Sequence, residues 1–234
     1  MKKYYKSKFL SNIIIFCSAS IATFSIPPFS FFFLIFVLGF GIYLITLRSS
    51  LKQTFIAGWF LGFGWFAFGL YWIGSAFIVA DTYHKVLMPL AIVILPSVLA
   101  IFWGLACVFA KLLTKKNQSS LFLIIVFLTL FEYLRAKLFT GFPWLMPSII
   151  LSSNEYLIQI FAFVGSFTAN LFVFSFSILP FVLISNFKSK YIIFGLLSIP
   201  ITILLFSSFF RFYNKDIEKT DNNLITLVQP NIEQ

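Results

Sequence analysis

Residues 131–150 read FEYLRAKLFTGFPWLMPSII, and the chain on either side takes its interpretation from them. The apolar run before them, residues 121–131, makes only about 16 Å of helix at ~1.5 Å per residue. A hydrocarbon core of ~30 Å needs about 20 residues. A crossing helix must therefore continue through Glu132 and Arg135 to about Phe139. At i,i+3 those two side chains share a helix face and can pair. Charge at membrane depth is costly and marks a functional candidate facing protein or water. The other reading is an interfacial ion pair that caps the helix, with Lys137 snorkelling toward headgroups. From the charges alone both readings stand.

Thr140-Gly141-Phe142-Pro143-Trp144 tips the balance toward function. Gly141 permits a sharp exit from the helix, and Pro143 biases Phe142 toward extended backbone. Trp144 suits the headgroup level. The expectation is a stiff aromatic loop lying on the outer leaflet.

Composition agrees with a membrane setting. The chain is 60% hydrophobic and 10% charged, with mean hydropathy +0.99, against ~25% charged residues in a soluble domain. The net charge of +10 comes from short basic clusters between apolar runs. That is the pattern of cytoplasmic membrane loops rather than of nucleic-acid binding. Cys17 and Cys107 lie in apolar runs and read as small fillers. The single histidine, His84, leaves no ligand set for zinc. No metal, cofactor or catalytic residue is expected from these residues.

Seven apolar stretches are predicted as spans, at about 9–26, 29–47, 55–79, 86–110, 120–139, 157–185 and 191–210. Pro27-Pro28 separates the first two into a tight hairpin. The basic start and the apolar run to Ile26 have the outline of a signal peptide. Phe16 is too bulky for its cleavage site, so an uncleaved first helix is expected. With the N-terminus cytoplasmic, the inner loops hold eleven basic residues and no acid, while the outer ones hold six basic residues and all seven acids. This bias orients the helices. The fold class is an all-α polytopic membrane protein of about seven transmembrane helices, N-terminus inside and tail outside.

The third stretch carries Gly58, Gly62, Gly69 and Ala76 at spacings that line one helix face. Small faces let membrane helices approach closely. A packing seam is one reading and a groove for a lipid acyl chain is the other.

Glu132-Tyr133-Leu134-Arg135, followed by Thr140-Gly141-Phe142-Pro143-Trp144, resembles the motif of bacterial apolipoprotein N-acyltransferases. The Gly/Trp-rich residues 58–72 and the tail LITLVQPNIEQ, residues 224–234, are similar to that family as well. The resemblance implies a membrane-helical domain over 1–213 and the start of a nitrilase-like domain over 214–234. It implies residence in the bacterial inner membrane, with a phospholipid acyl donor and a diacylglyceryl apolipoprotein as partners. In such enzymes a Glu-Lys-Cys triad takes an acyl chain as a thioester and passes it to the α-amine of an S-diacylglyceryl cysteine. A thiolate suits both steps as strong nucleophile and covalent carrier.

None of the three triad residues has a counterpart in residues 1–234. The expectation is therefore a truncated or split enzyme, inactive alone, with a separate nitrilase-like chain as a potential partner. Glu132, Arg135, Thr140, Gly141, Phe142, Pro143 and Trp144 would then face lipid substrate, while Gly58, Gly62 and Gly69 pack helices. A non-enzymatic membrane scaffold or small transporter is the alternative.

Overall fold

The computed structural model describes residues 2–79, 86–114, 120–138, 143–184 and 190–213. Among these, eight α-helices follow in order: α1 Lys2–Ala22, α2 Ile35–Thr46, α3 Leu51–Gly69, α4 Ile73–Val79, α5 Met88–Leu113, α6 Leu121–Leu138, α7 Ile160–Ile184 and α8 Lys190–Tyr213. Short 3-10 turns join them, the longest being Pro147–Ser153 before α7. The described residues contain no strand. The tail, residues 214–234, with its expected nitrilase-like start, lies outside the described residues.

Local sequence explains where the helices start. The Ser50 hydroxyl accepts from Gln53 N–H at 3.3 Å and caps α3, satisfying one of the donors left over in a first turn. Pro89 sits in the first turn of α5, where the missing N–H costs nothing.

Two expected spans differ from the structure. The third, read as continuous over 55–79, breaks after Gly69, where Leu70 leaves helical geometry (φ −106°, ψ 15°) before α4 begins. The break brings Trp72 over Trp144, with rings nearly parallel and centroids 6.3 Å apart. The sixth opens with a 3-10 turn, Leu157–Gln159, and bends at Gly165, whose φ of 71° and ψ of 170° interrupt α7. Those angles suit glycine far better than any residue with a Cβ.

Among the described residues, three segments are long and apolar enough to cross a membrane: Met88–Leu113, Leu157–Ile184 and Phe194–Tyr213. Phe9–Ser25 and Phe32–Thr46 are shorter apolar helices. The outward faces suit hydrocarbon, because Val93, Ile94, Ile203 and Phe206 are each more than half exposed.

The core is built by close backbone approach. A Cβ on Gly39 of α2 would lie 1.9 Å from the Ser177 carbonyl oxygen of α7. On Gly58 it would meet the Cys107 sulfur at 2.8 Å and the Trp103 carbonyl at 2.9 Å, both on α5. Such contacts let dispersion and weak polar interactions hold helices together where lipid removes the hydrophobic drive. At the end of α2, Arg48 Nη2 donates to Ser11 Oγ at 2.9 Å and Asn12 Oδ1 at 2.8 Å, tying the α1–α2 hairpin.

Candidate functional site

The i,i+3 spacing on α6 brings Glu132 and Arg135 together, and the bundle then closes over them. Both side chains are 0% exposed. Arg135 Nη2 donates to Glu132 Oε2 at 2.6 Å, and Arg135 Nε to Oε1 at 3.3 Å. The pair is therefore no surface cap open to headgroups: burial overturns that reading. Lys137, two residues beyond Arg135, is exposed, with its Nζ 5.6 Å from the Tyr133 ring centroid.

Taking two charges out of water costs several kcal/mol per ion, about what a well-made pair recovers. Further partners offset that cost here. Trp103 of α5 donates its indole N–H to Glu132 Oε1 at 2.7 Å. Arg135 Nη2 also donates to the Trp144 carbonyl at 2.7 Å, and its guanidinium lies 5.0 Å from the Phe66 ring centroid. Trp103 is itself fixed among buried rings, 6.2 Å from Trp65, 5.4 Å from Phe66 and 5.7 Å from Phe174.

Residues 144–148 are tied to the bundle. Three helices hold residues 144–148. Arg135 of α6 binds the Trp144 carbonyl, and Trp65 of α3 donates its indole N–H to the Leu145 carbonyl at 3.0 Å. Asn170 of α7 accepts from Ser148 N–H at 2.8 Å and donates to Met146 Sδ at 3.5 Å. Leu145 takes φ of 50°, a conformation uncommon outside glycine and asparagine. It presses its side chain to 2.0 Å of where a Gly69 Cβ would stand. A backbone so over-determined can hold an unfavourable torsion in place.

The structure gathers Glu132, Arg135 and Trp144 into one network, with Pro143 beside Trp144 and Gly69 beneath Leu145. Gly58 and Gly62 do not touch that loop. They seat α3 against α5, where a Cβ on Gly62 would stand 3.0 Å from Trp103 Cβ, and so they fix the tryptophan that holds Glu132. Thr140, Gly141 and Phe142 lie outside the described residues. Sequence reasoning missed Trp65, Trp103 and Asn170. Each was a lone hydrogen-bonding side chain in an apolar run, and buried indoles and amides find partners. Cys17 is exposed and Cys107 buried against the Gly58 seam.

Membrane-length apolar helices closed over a fully buried ion pair make this an all-helical membrane protein. The family model for the apolipoprotein N-acyltransferase N-terminal domain matches residues 18–179. A relative from Allorhizobium ampelinum, named apolipoprotein N-acyltransferase, is 30% identical over 237 residues, covering 93% of this chain and 43% of its own length. One from Rhodopseudomonas palustris with the same name is 33% identical over 192 residues, 80% of this chain and 35% of the relative. A third, from Sinorhizobium fredii, reaches 45% identity over 87 residues, 37% of this chain and 16% of the relative. The chain belongs to the apolipoprotein N-acyltransferase family and spans less than half the length of these relatives.

Proposed function

We propose that residues 1–213 are the multi-pass membrane domain of a phospholipid-dependent apolipoprotein N-acyltransferase of the bacterial inner membrane. The chain crosses about seven times, N-terminus in the cytoplasm, with residues 214–234 leading outside into a nitrilase-like domain. That domain, in cis or as a separate chain, carries the Glu-Lys-Cys chemistry. The membrane domain holds a phospholipid acyl ester and the amine of a diacylglyceryl apolipoprotein beneath one thiolate. Restricting reactants in this way lowers the entropic part of a barrier.

One observation carries the reading. The buried Glu132–Arg135 pair donates through Arg135 to the Trp144 carbonyl, so its charge fixes a loop that presents an aromatic side chain. In this proposal Pro143, Trp144 and Leu145 belong to the floor on which lipid is presented, and the neighbouring Thr140, Gly141 and Phe142 share that role. Glu132 and Arg135 position that floor and do not react.

A chimera tests this. Residues 1–213 replace the matching part of the Allorhizobium relative, and the hybrid is expressed in cells depleted of their own enzyme. Restored growth is expected. A hybrid that inserts and folds yet never restores growth sinks the reading.

A further inference from the structure

Two apolar hollows adjoin on the far side of α6 and α7 from the ion-pair network. The first, about 390 Å³, lies between α6 and α7, bounded by Val126, Leu130 and Tyr133 on one side and Phe167, Thr168 and Leu171 on the other. The second, about 240 Å³, continues between α7 and α8 against Ser175, Leu197 and Ile201. Thr168 and Leu171 border both. From Phe122 to Tyr133 the groove follows eleven residues of α6, about 16 Å at ~1.5 Å each.

The bend in α7 lies beside this space. Gly165, φ 71°, lies between Val164 and Phe167 in the groove wall, and a Cβ there would meet nothing within 4 Å. The lining is mainly apolar, and Thr129 spends its hydroxyl on the Ile125 carbonyl at 2.9 Å. One end differs. Tyr133 stands edge-on to Phe167 at 5.2 Å, and the exposed Lys137 ammonium lies over the other part of the tyrosine, 5.6 Å from its ring centroid. A long apolar trough with the Lys137 ammonium beside Tyr133 at one end complements an amphiphile with a hydrocarbon tail and an anionic head.

We propose that this groove holds a phospholipid, one acyl chain lying between α6, α7 and α8 and its phosphate at Lys137. The site rests on the reading of the chain as a lipid-handling membrane domain and lies apart from the Trp144 loop. An acyl chain fits the apolar walls, and a snorkelling lysine reaches a phosphate at the interface without leaving its stem exposed.

Photolabelling tests it on the full 234-residue chain in lipid nanodiscs doped with a diazirine-tailed phosphatidylglycerol. Mass spectrometry compares adducts on Leu130 and Leu171 with those on Val93 and Ile94 of α5, which are exposed and line neither hollow. Groove labelling should exceed that background about fivefold, the ratio expected for ~1 kcal/mol of preference. Leu171→Trp should abolish the excess by filling the trough. Lys137→Gln should reduce it for phosphatidylglycerol and leave a tail-labelled diacylglycerol unaffected.

Equal labelling of groove and α5 in the wild-type chain overturns the site, whatever the variants do. An unchanged phosphatidylglycerol excess in Lys137→Gln, or an equal excess for a tail-labelled fatty acid, overturns the phospholipid as occupant. Loss of groove labelling while the chimera still restores growth defeats this site and leaves the acyltransferase reading intact. Groove labelling without growth does the reverse.

Discussion

Arg135→Leu removes the only cation facing Glu132 among the described residues and leaves a 0% exposed carboxylate with one indole N–H. Removing one partner of a buried pair costs about 3–5 kcal/mol. Glu132→Leu should cost about as much, since Arg135 keeps the Trp144 carbonyl as its hydrogen-bond acceptor besides the Phe66 ring, and its Nη1 already lacks a partner. The double variant Glu132→Leu/Arg135→Leu strands no charge. It takes one partner from each of two neutral groups, the Trp103 N–H and the Trp144 carbonyl, at up to ~1–3 kcal/mol each. The two singles then sum to roughly 6–10 kcal/mol against roughly 2–6 for the double, a coupling of about 4 kcal/mol. Unfolding by SDS in mixed micelles, followed by helicity, reads all four members of the cycle. Effects that add to within ~0.5 kcal/mol would refute the reasoning, because uncoupled sites behave that way.

Three further outcomes are expected by the same titration. Trp103→Phe keeps the ring packing but strips Glu132 Oε1 of its shortest donor, for a loss of ~1.5–3 kcal/mol; an unchanged midpoint would remove Trp103 from the network. Asn170→Leu strands the buried Ser148 N–H, which should cost ~1–3 kcal/mol and speed amide exchange there, and unaltered exchange contradicts the tie. Gly39→Ala drives a Cβ toward backbone that cannot rotate away, the Ser177 carbonyl, and should cost ~1–3 kcal/mol or more. Full tolerance of that alanine would speak against the α2–α7 packing.

Much of this was readable from the residues, and physical reasons separate what was from what was not. Apolar run length marked the helices, because hydrocarbon sets a minimum. Spacing marked the Glu132–Arg135 pair, because i,i+3 neighbours meet on any helix. The depth of that pair was not readable, since burial depends on Trp103 and Phe66, which arrive from other helices. Gly58 and Gly62 announced close approach, but only the packed bundle shows that the approaching group is Trp103. Gly69 belonged to the same periodic face and faces Leu145 instead, because α3 ends there. The bend at Gly165 carried no signal beyond the glycine itself, as one glycine inside an apolar run is equally compatible with straight helix.

The role proposed for this chain is to supply lipid-holding structure to an acyl transfer whose nucleophile belongs to the nitrilase-like domain. Its most direct measurement uses proteoliposomes of the chimera, supplied with a diacylglyceryl lipopeptide and assayed by mass spectrometry. The peptide should gain one acyl chain with the chimera and none with residues 1–234 alone. A folded chimera that transfers nothing would contradict it. So would a thioester on residues 1–234 alone that Cys17→Ala or Cys107→Ala abolishes.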